Sequence, residues 1–249
     1  TYQRSIRCLS LNKSNKIKLT CQLSTINLPQ MRLDRKDDIS KLSEVVQREK
    51  FLSQLKAGEG VPNTNAIDTY RKSNMDQATV KQALTAAMTT FALHVEARIA
   101  SSLGVGFYTI GPCGEELLAA VGAVMRDTDA SALHYRHVAT AIARQMRSRP
   151  LRDIVLDRSR GYTCSTLDPV TGGKHCAIGG SPYDFVVTST LASQAPPAVG
   201  RALGISLSNY LLKGSSAECM FPADSVSYVS VGDGSVNNAQ HRKFKVSLN

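Results

Sequence analysis

The chain has no tryptophan, and aromatic side chains make up only 6% of its 249 residues. Proteins that read nucleic acid usually set aromatics among clustered Arg and Lys, and no such cluster is present, so the formal charge of +10 does not point to that class. The charge is also unevenly spread. Residues 1–33 carry Arg4, Arg7, Lys13, Lys16, Lys18 and Arg32 and lack Asp and Glu altogether. Without these six basic residues the balance falls to +4, that of a mildly basic body. No run of 18 or more apolar residues occurs, which argues against a membrane span. The six cysteines include no CxxC pair. Cys164 and Cys176, with His175 beside the latter, lack the two close ligand pairs of a zinc site and read as free thiols in a reducing compartment.

An acid-free leader bearing Arg, Ser and Thr over residues 1–33 has the composition of an organelle transit peptide, with a basic tail as the alternative. It lacks the compact apolar stretch of a secretory signal. A first residue that is Thr rather than Met suggests a fragment. Residues 34–75 are polar, with a charged helix expected from Asp34 to Lys56 on a loose stripe of Ile39, Leu42, Val45, Val46, Leu52 and Leu55. Asp76 is positioned to cap a helix running to about Leu103. Its apolar positions are Val80, Leu84, Ala87, Met88, Phe91, Val95 and Ile99, and Gly104 and Gly106 end it. Further helices are expected over Glu115–Met125, His137–Met146, Leu151–Leu156 and Ala195–Leu212. Asp127–Ala132 reads as a turn and residues 157–184 as a long loop. Pro196 and Pro197 suit the first turn of the last helix, with Ser193 as a candidate cap.

Val226-Ser227-Tyr228-Val229-Ser230-Val231 alternates as a strand and runs into Gly232-Asp233-Gly234. In α/β sheets, ligands sit beyond the carboxyl ends of strands. Glycines there admit a phosphate to the backbone, and a carboxylate can hold Mg²⁺ through waters and phosphate oxygens. Tyr135-Arg136 follows the turn at 127–132 and offers a guanidinium fork to a diphosphate, or else is a solvated pair on a helix surface. His175 stands in the Gly-rich run Thr171-Gly172-Gly173-Lys174-His175, where a histidine suits proton transfer. Helices around at least one strand indicate an α/β layer fold.

Taken in order, five blocks resemble the alpha part of the thiamine-diphosphate-dependent 2-oxoacid dehydrogenases. They are Phe107–Gly111, Leu133–Arg136, Gly172–His175, Thr188–Gly200 and Gly232–Ala239. The wording of the last two is most similar to the branched-chain-like type with fused alpha and beta halves. The resemblance covers residues 76–240 and implies an incomplete three-layer domain that binds thiamine diphosphate, after a helix-rich N-terminal part. Residues 241–249 form a divergent basic tail. The resemblance also implies roles. Tyr135 and Arg136 contact the diphosphate, and Ser189 and Leu191 line the cofactor. Gly232, Asp233, Gly234 and Ser235 form the phosphate and Mg²⁺ turn, with Asp233 as metal ligand. Ser193 and Gln194 suit K⁺, and His175 is the catalytic histidine at the mouth of the site. Such enzymes decarboxylate pyruvate or a branched-chain 2-oxo acid and pass the acyl group to a lipoyl carrier.

The implied partners are a beta-type, pyrimidine-binding half and the lipoyl acyltransferase, with no nucleic acid and no membrane. The implied place is the mitochondrial matrix, or else a plastid. Cys113-Gly114-Glu115-Glu116 departs slightly from the pattern, and a second metal ligand, an Asn, is expected further along than Asn249. A fragment without turnover of its own is therefore expected. The alternative is a non-catalytic assembly or regulatory subunit that keeps the fold.

Overall fold

The computed structural model describes residues 39–59, 75–104, 106, 110–163, 178, 183–184, 187, 190–213 and 220–238. The leader 1–33, the tail 241–249, His175 and Ser189 lie outside these residues. The described part is a helix-rich α/β arrangement around a two-stranded parallel sheet. Among the described residues no helix is long and apolar enough to cross a membrane.

Helix α1 spans Ser43–Lys56 and α2 Gln77–Ser102. The Asp76 carboxylate accepts from the Thr79 amide at 2.8 Å, the expected N-cap. Gly104, at φ +75°, lies just past the end of α2. The buried face of α2 overlaps the expected stripe in part: Ala87 and Val95 are buried and Val80, Phe91 and Ile99 half-buried. Ala86, Ala87, Thr90, Leu93, Val95 and Ala97 face inward, whereas Leu84 and Met88 are exposed. The stripe expected on α1 is met less well: only Val45 is buried, with Val46, Leu52 and Leu55 exposed. Arg48–Glu96 and Arg98–Glu44 ion pairs, at 3.1 and 3.0 Å, join α1 to α2.

Small residues win the inner face because the helices approach closely. A 3-10 turn at Glu115–Leu118 leads into α3, Ala119–Val124, where one continuous helix had been expected. Helices α4, Val138–Gln145, and α5, Leu151–Thr163, follow. The core between α2, α3, α4 and α5 consists of Ala86, Ala87, Leu93, Ala119, Ala123, Ala139, Ile142, Ala143 and Ile154. A Cβ on Gly122 of α3 would stand 2.2 Å from the Thr140 carbonyl oxygen of α4, so only glycine fits this crossing. Thr140 donates its hydroxyl to the Leu118 carbonyl at 2.9 Å across the same contact. Helix α5 runs seven residues beyond the expected end at Leu156, taking the first part of the supposed loop.

The expected turn at Asp127–Ala132 is present over 127–129 but gives way to a strand over its second half. Ala130–Ala132 is strand β1, paired in parallel with β2, Ser227–Val229, which is shorter than the expected 226–231. The register sets Ala130 against Ser227 and Ala132 against Val229. Ser131 also bridges in parallel to Asp184, so β1 has neighbours on both edges. Its pairing is set by a polar clamp at the amino end. Asp129, buried, takes the Arg126 guanidinium and the amides of Arg126 and Val226. Burial opposes its charge, but these donors outweigh that and hold its carboxyl at about 2. Arg144 of α4 donates to the Asp129 carbonyl at 2.8 Å and pairs with Asp184 at 3.3 Å. Helix α6, Ala195–Leu211, lays Ala198 into a second core with Ala132, Leu133, Ala141, Ile178 and Val187. Gln194, not Ser193, is its N-cap residue, with no side-chain capping bond.

The Gly122 contact makes a direct prediction. Gly122→Ala should lower folding stability by about 2–3 kcal/mol, as overpacking against backbone does. A urea-denaturation midpoint equal to that of the parent chain would mean that α3 and α4 do not touch there.

Candidate functional site

Parallel pairing sends both chains out of the sheet at one edge. After β1 come Leu133, His134, the turn Tyr135-Arg136 and His137, which opens α4. After β2 come Ser230, Val231, Gly232 and a 3-10 turn at Asp233–Ser235. The pair Tyr135-Arg136 therefore lies in a strand-to-helix turn, not on a helix surface.

Ser230 joins the two segments. Its hydroxyl accepts the His134 amide at 2.9 Å and lies 2.6 Å from His137 Nδ1. The Ser230 amide donates to the Ala132 carbonyl, and the Ser230 carbonyl accepts from Gln194 Nε2 at 2.7 Å. His137 Nε2 lies 2.8 Å from Glu115 Oε2 on the 3-10 turn before α3. A carboxylate only accepts, so Nε2 carries the proton; neutral His137 then receives the Ser230 hydroxyl at Nδ1. The Arg136 amide points to His134 Nδ1 at 3.4 Å. The His134 ring packs against Gly232, where a Cβ would stand 2.8 Å from Nε2.

Burial pushes both imidazoles towards the neutral form. His134 is lowered to about 4 by burial, helped by His137 and Arg136 and opposed by Asp233. His137 is lowered by burial against the pull of Glu115.

Of the expected site residues, Tyr135, Arg136, Gly232, Asp233, Gly234, Ser235 and Gln194 gather at this edge. Arg136 NH1 donates to the Gly111 carbonyl at 3.3 Å and approaches Cys113 Sγ at 3.7 Å, while its guanidinium sits 5.6 Å from the Tyr135 ring centroid. Cys113 and Gly114 both have positive φ in the turn below it. The Asp233 carboxylate is exposed and makes no hydrogen bond or ion pair among the described residues. Ser235 is fully buried with no hydrogen-bond partner for its hydroxyl. Gln194 spends its amide on the Ser230 backbone, which ties the start of α6 to the edge. Ser193 is half-buried and Leu191 exposed, and no described side-chain contact draws either into the edge.

Sequence reasoning missed Glu115, His134, His137 and Ser230. The signal available was two histidines three apart, flanking the Tyr-Arg pair. A cavity of about 500 Å³ lies elsewhere, between α6 and Met220-Phe221.

No family model, curated protein or solved structure matches the chain.

The lowered histidines give the edge a pH dependence. An unfolded imidazole takes its proton near 6.5, whereas His134 takes it only at about 4. Between those values the unfolded chain binds more protons, so stability is full above pH 6.5 and falls as the pH drops towards 4. A loss of roughly 2 kcal/mol is expected from denaturation midpoints at pH 7.5 and 5.0. His134→Asn should flatten that difference; the same slope in both proteins would place its origin elsewhere.

Proposed function

We propose that the chain carries part of the alpha half of a thiamine-diphosphate-dependent 2-oxoacid dehydrogenase, which in complete form acts on pyruvate or a branched-chain 2-oxo acid, and that it has no turnover alone. One observation carries the reading. The parallel register brings Tyr135-Arg136 and Gly232–Ser235 to the same carboxyl edge, where α/β sheets bind phosphates. The residues there suit the cofactor. The buried Ser235 hydroxyl lacks a partner, a Cβ on Gly234 would meet nothing within 4 Å, and the Asp233 carboxylate stands exposed.

When bound, thiamine diphosphate supplies the thiazolium carbon at which a 2-oxo acid loses carbon dioxide. The chain's own residues bind and orient. Asp233 would hold Mg²⁺, a hard cation that takes carboxylate oxygen ligands. Arg136, whose guanidinium donates to the Gly111 carbonyl, would hold the diphosphate through stronger, charge-assisted bonds. Ser235 and the 232–234 backbone complete the phosphate turn, and Ser230 keeps the two segments at a fixed spacing. His175 and Ser189 keep the roles that the resemblance implies.

A beta-type half and a lipoyl acyltransferase are the partners of this reading. Helix α6 supports a protein-facing role, since Leu203, Leu207, Tyr210 and Leu211 are exposed along it. That ridge also favours the second reading, a non-catalytic assembly subunit that keeps the fold.

Calorimetric titration with thiamine diphosphate separates the two. Binding that requires Mg²⁺, and that weakens about tenfold or more in Arg136→Ala and Asp233→Asn, is the expected result. No binding, or equal binding by the variants, would leave the assembly reading in its place.

A further inference from the structure

The group formed by Glu115, His134 and His137 has a chemistry of its own. One ring nitrogen of each histidine and a carboxylate oxygen of Glu115 all lie within 4.8 Å of one another. Both histidines are buried, and the Glu115 side chain is about one-third exposed, at 34%. We propose that these three side chains form a binding site for a borderline transition-metal ion, Zn²⁺, separate from the hard-cation position at Asp233.

Two imidazoles and one carboxylate are the donor set of three-ligand zinc centres, which leave a fourth position to water. They are the wrong set for Mg²⁺, which takes oxygen ligands and keeps most of its waters. Around zinc at 2.0–2.1 Å, tetrahedral ligand atoms stand about 3.4 Å apart. The His137–Glu115 edge of 2.8 Å must open, and any edge near 4.8 Å must close. Glu115 can open the short edge, because its side chain reaches solvent and is held here by His137.

The surroundings also suit metal. A ligating histidine nearly always donates its other ring N–H to an oxygen, which fixes the ring. Ser230 Oγ stands 2.6 Å from His137 Nδ1 for that purpose. Without metal the hydroxyl donates to Nδ1 and Nε2 donates to Glu115. With metal on Nε2 the proton resides on Nδ1 and the hydroxyl accepts it. Ser230 can reverse its direction because a hydroxyl both donates and accepts. The exchange is a change of tautomer at one ring and needs no movement of the backbone. The protein frame is equally fixed. His137 opens α4, Glu115 opens the 3-10 turn before α3, and those helices touch at Gly122.

The test is a zinc titration of the full chain, in Mg²⁺ buffer without thiamine diphosphate, read against a zinc-chelating indicator. The six cysteines are first alkylated, so that thiols cannot supply the site. One equivalent should bind, and Glu115→Gln and His137→Gln should each weaken it by about 10- to 100-fold. Glu115→Gln keeps the volume of a partly exposed residue, and its circular dichroism should match the parent. Cobalt loading should give the visible absorption of a low-coordinate site in the parent and lose it in both variants. No stoichiometric zinc, or equal affinity in the variants, overturns the proposal. Because thiamine diphosphate is left out, the result stands whatever the diphosphate titration gives.

Discussion

Three parallel residue pairs, Ala130–Ser227 to Ala132–Val229, fix where every chemically active group of this edge can stand. A three-residue ladder is short, and both of its ends are held by side chains. At the amino end Asp129 accepts the Val226 amide and gathers Arg126, while Arg144 holds the Asp129 carbonyl. At the carboxyl end Ser230 takes the His134 amide and meets the His137 ring. A slip of one residue would separate Tyr135-Arg136 from Gly232-Asp233 and turn each strand side chain to the opposite face. The polar clamps therefore act as register pins as much as sources of stability.

The helical layer serves the same end by bringing backbones close together. Alanine and Gly122 at the α2, α3 and α4 contacts give up apolar area, and in return the start of α4 and the 3-10 turn before α3 come within hydrogen-bond reach. Larger side chains in that layer would hold Glu115 away from His137. Leu84 and Met88 are exposed, while the inner face of α2 carries Ala86, Ala87 and Ala97 beside Leu93 and Val95.

Much of the frame was legible. Asp76 behaves as the cap that its position before an apolar-periodic run implies, and the strand before Gly232 is where alternation placed it. The first strand was not legible, since Ala130-Ser131-Ala132 has neither β-branched residues nor alternation of any weight. It is a strand because Asp129, Arg144 and Asp184 hold it from outside, and those contacts are remote in sequence. The hydrophobic face of α2 was legible only in part, for a related reason. Periodicity reports which residues are apolar, whereas the close helix crossing selects those that are small. Ser230 looked like one polar position of an alternating strand, and its reach to His134 and His137 depends on a register no local pattern contains. The register sends Tyr135-Arg136 and the Gly232–Ser235 turn out of the sheet at the same end, after β1 and β2 respectively.

The Val226 amide and Asp129 are 97 positions apart in the chain. Closing a loop of that size costs about 4 kcal/mol of chain entropy, while a ladder of so few hydrogen bonds returns about 1 kcal/mol for each. Such a sheet cannot hold itself closed. What closes it is the burial of α4 and α6 on its strands, together with the ionic groups at one end and the Ser230 network at the other. The edge that gathers the two histidines, Arg136 and Asp233 is thus a product of the whole helical frame, and no excised hairpin or peptide from either strand would reproduce it.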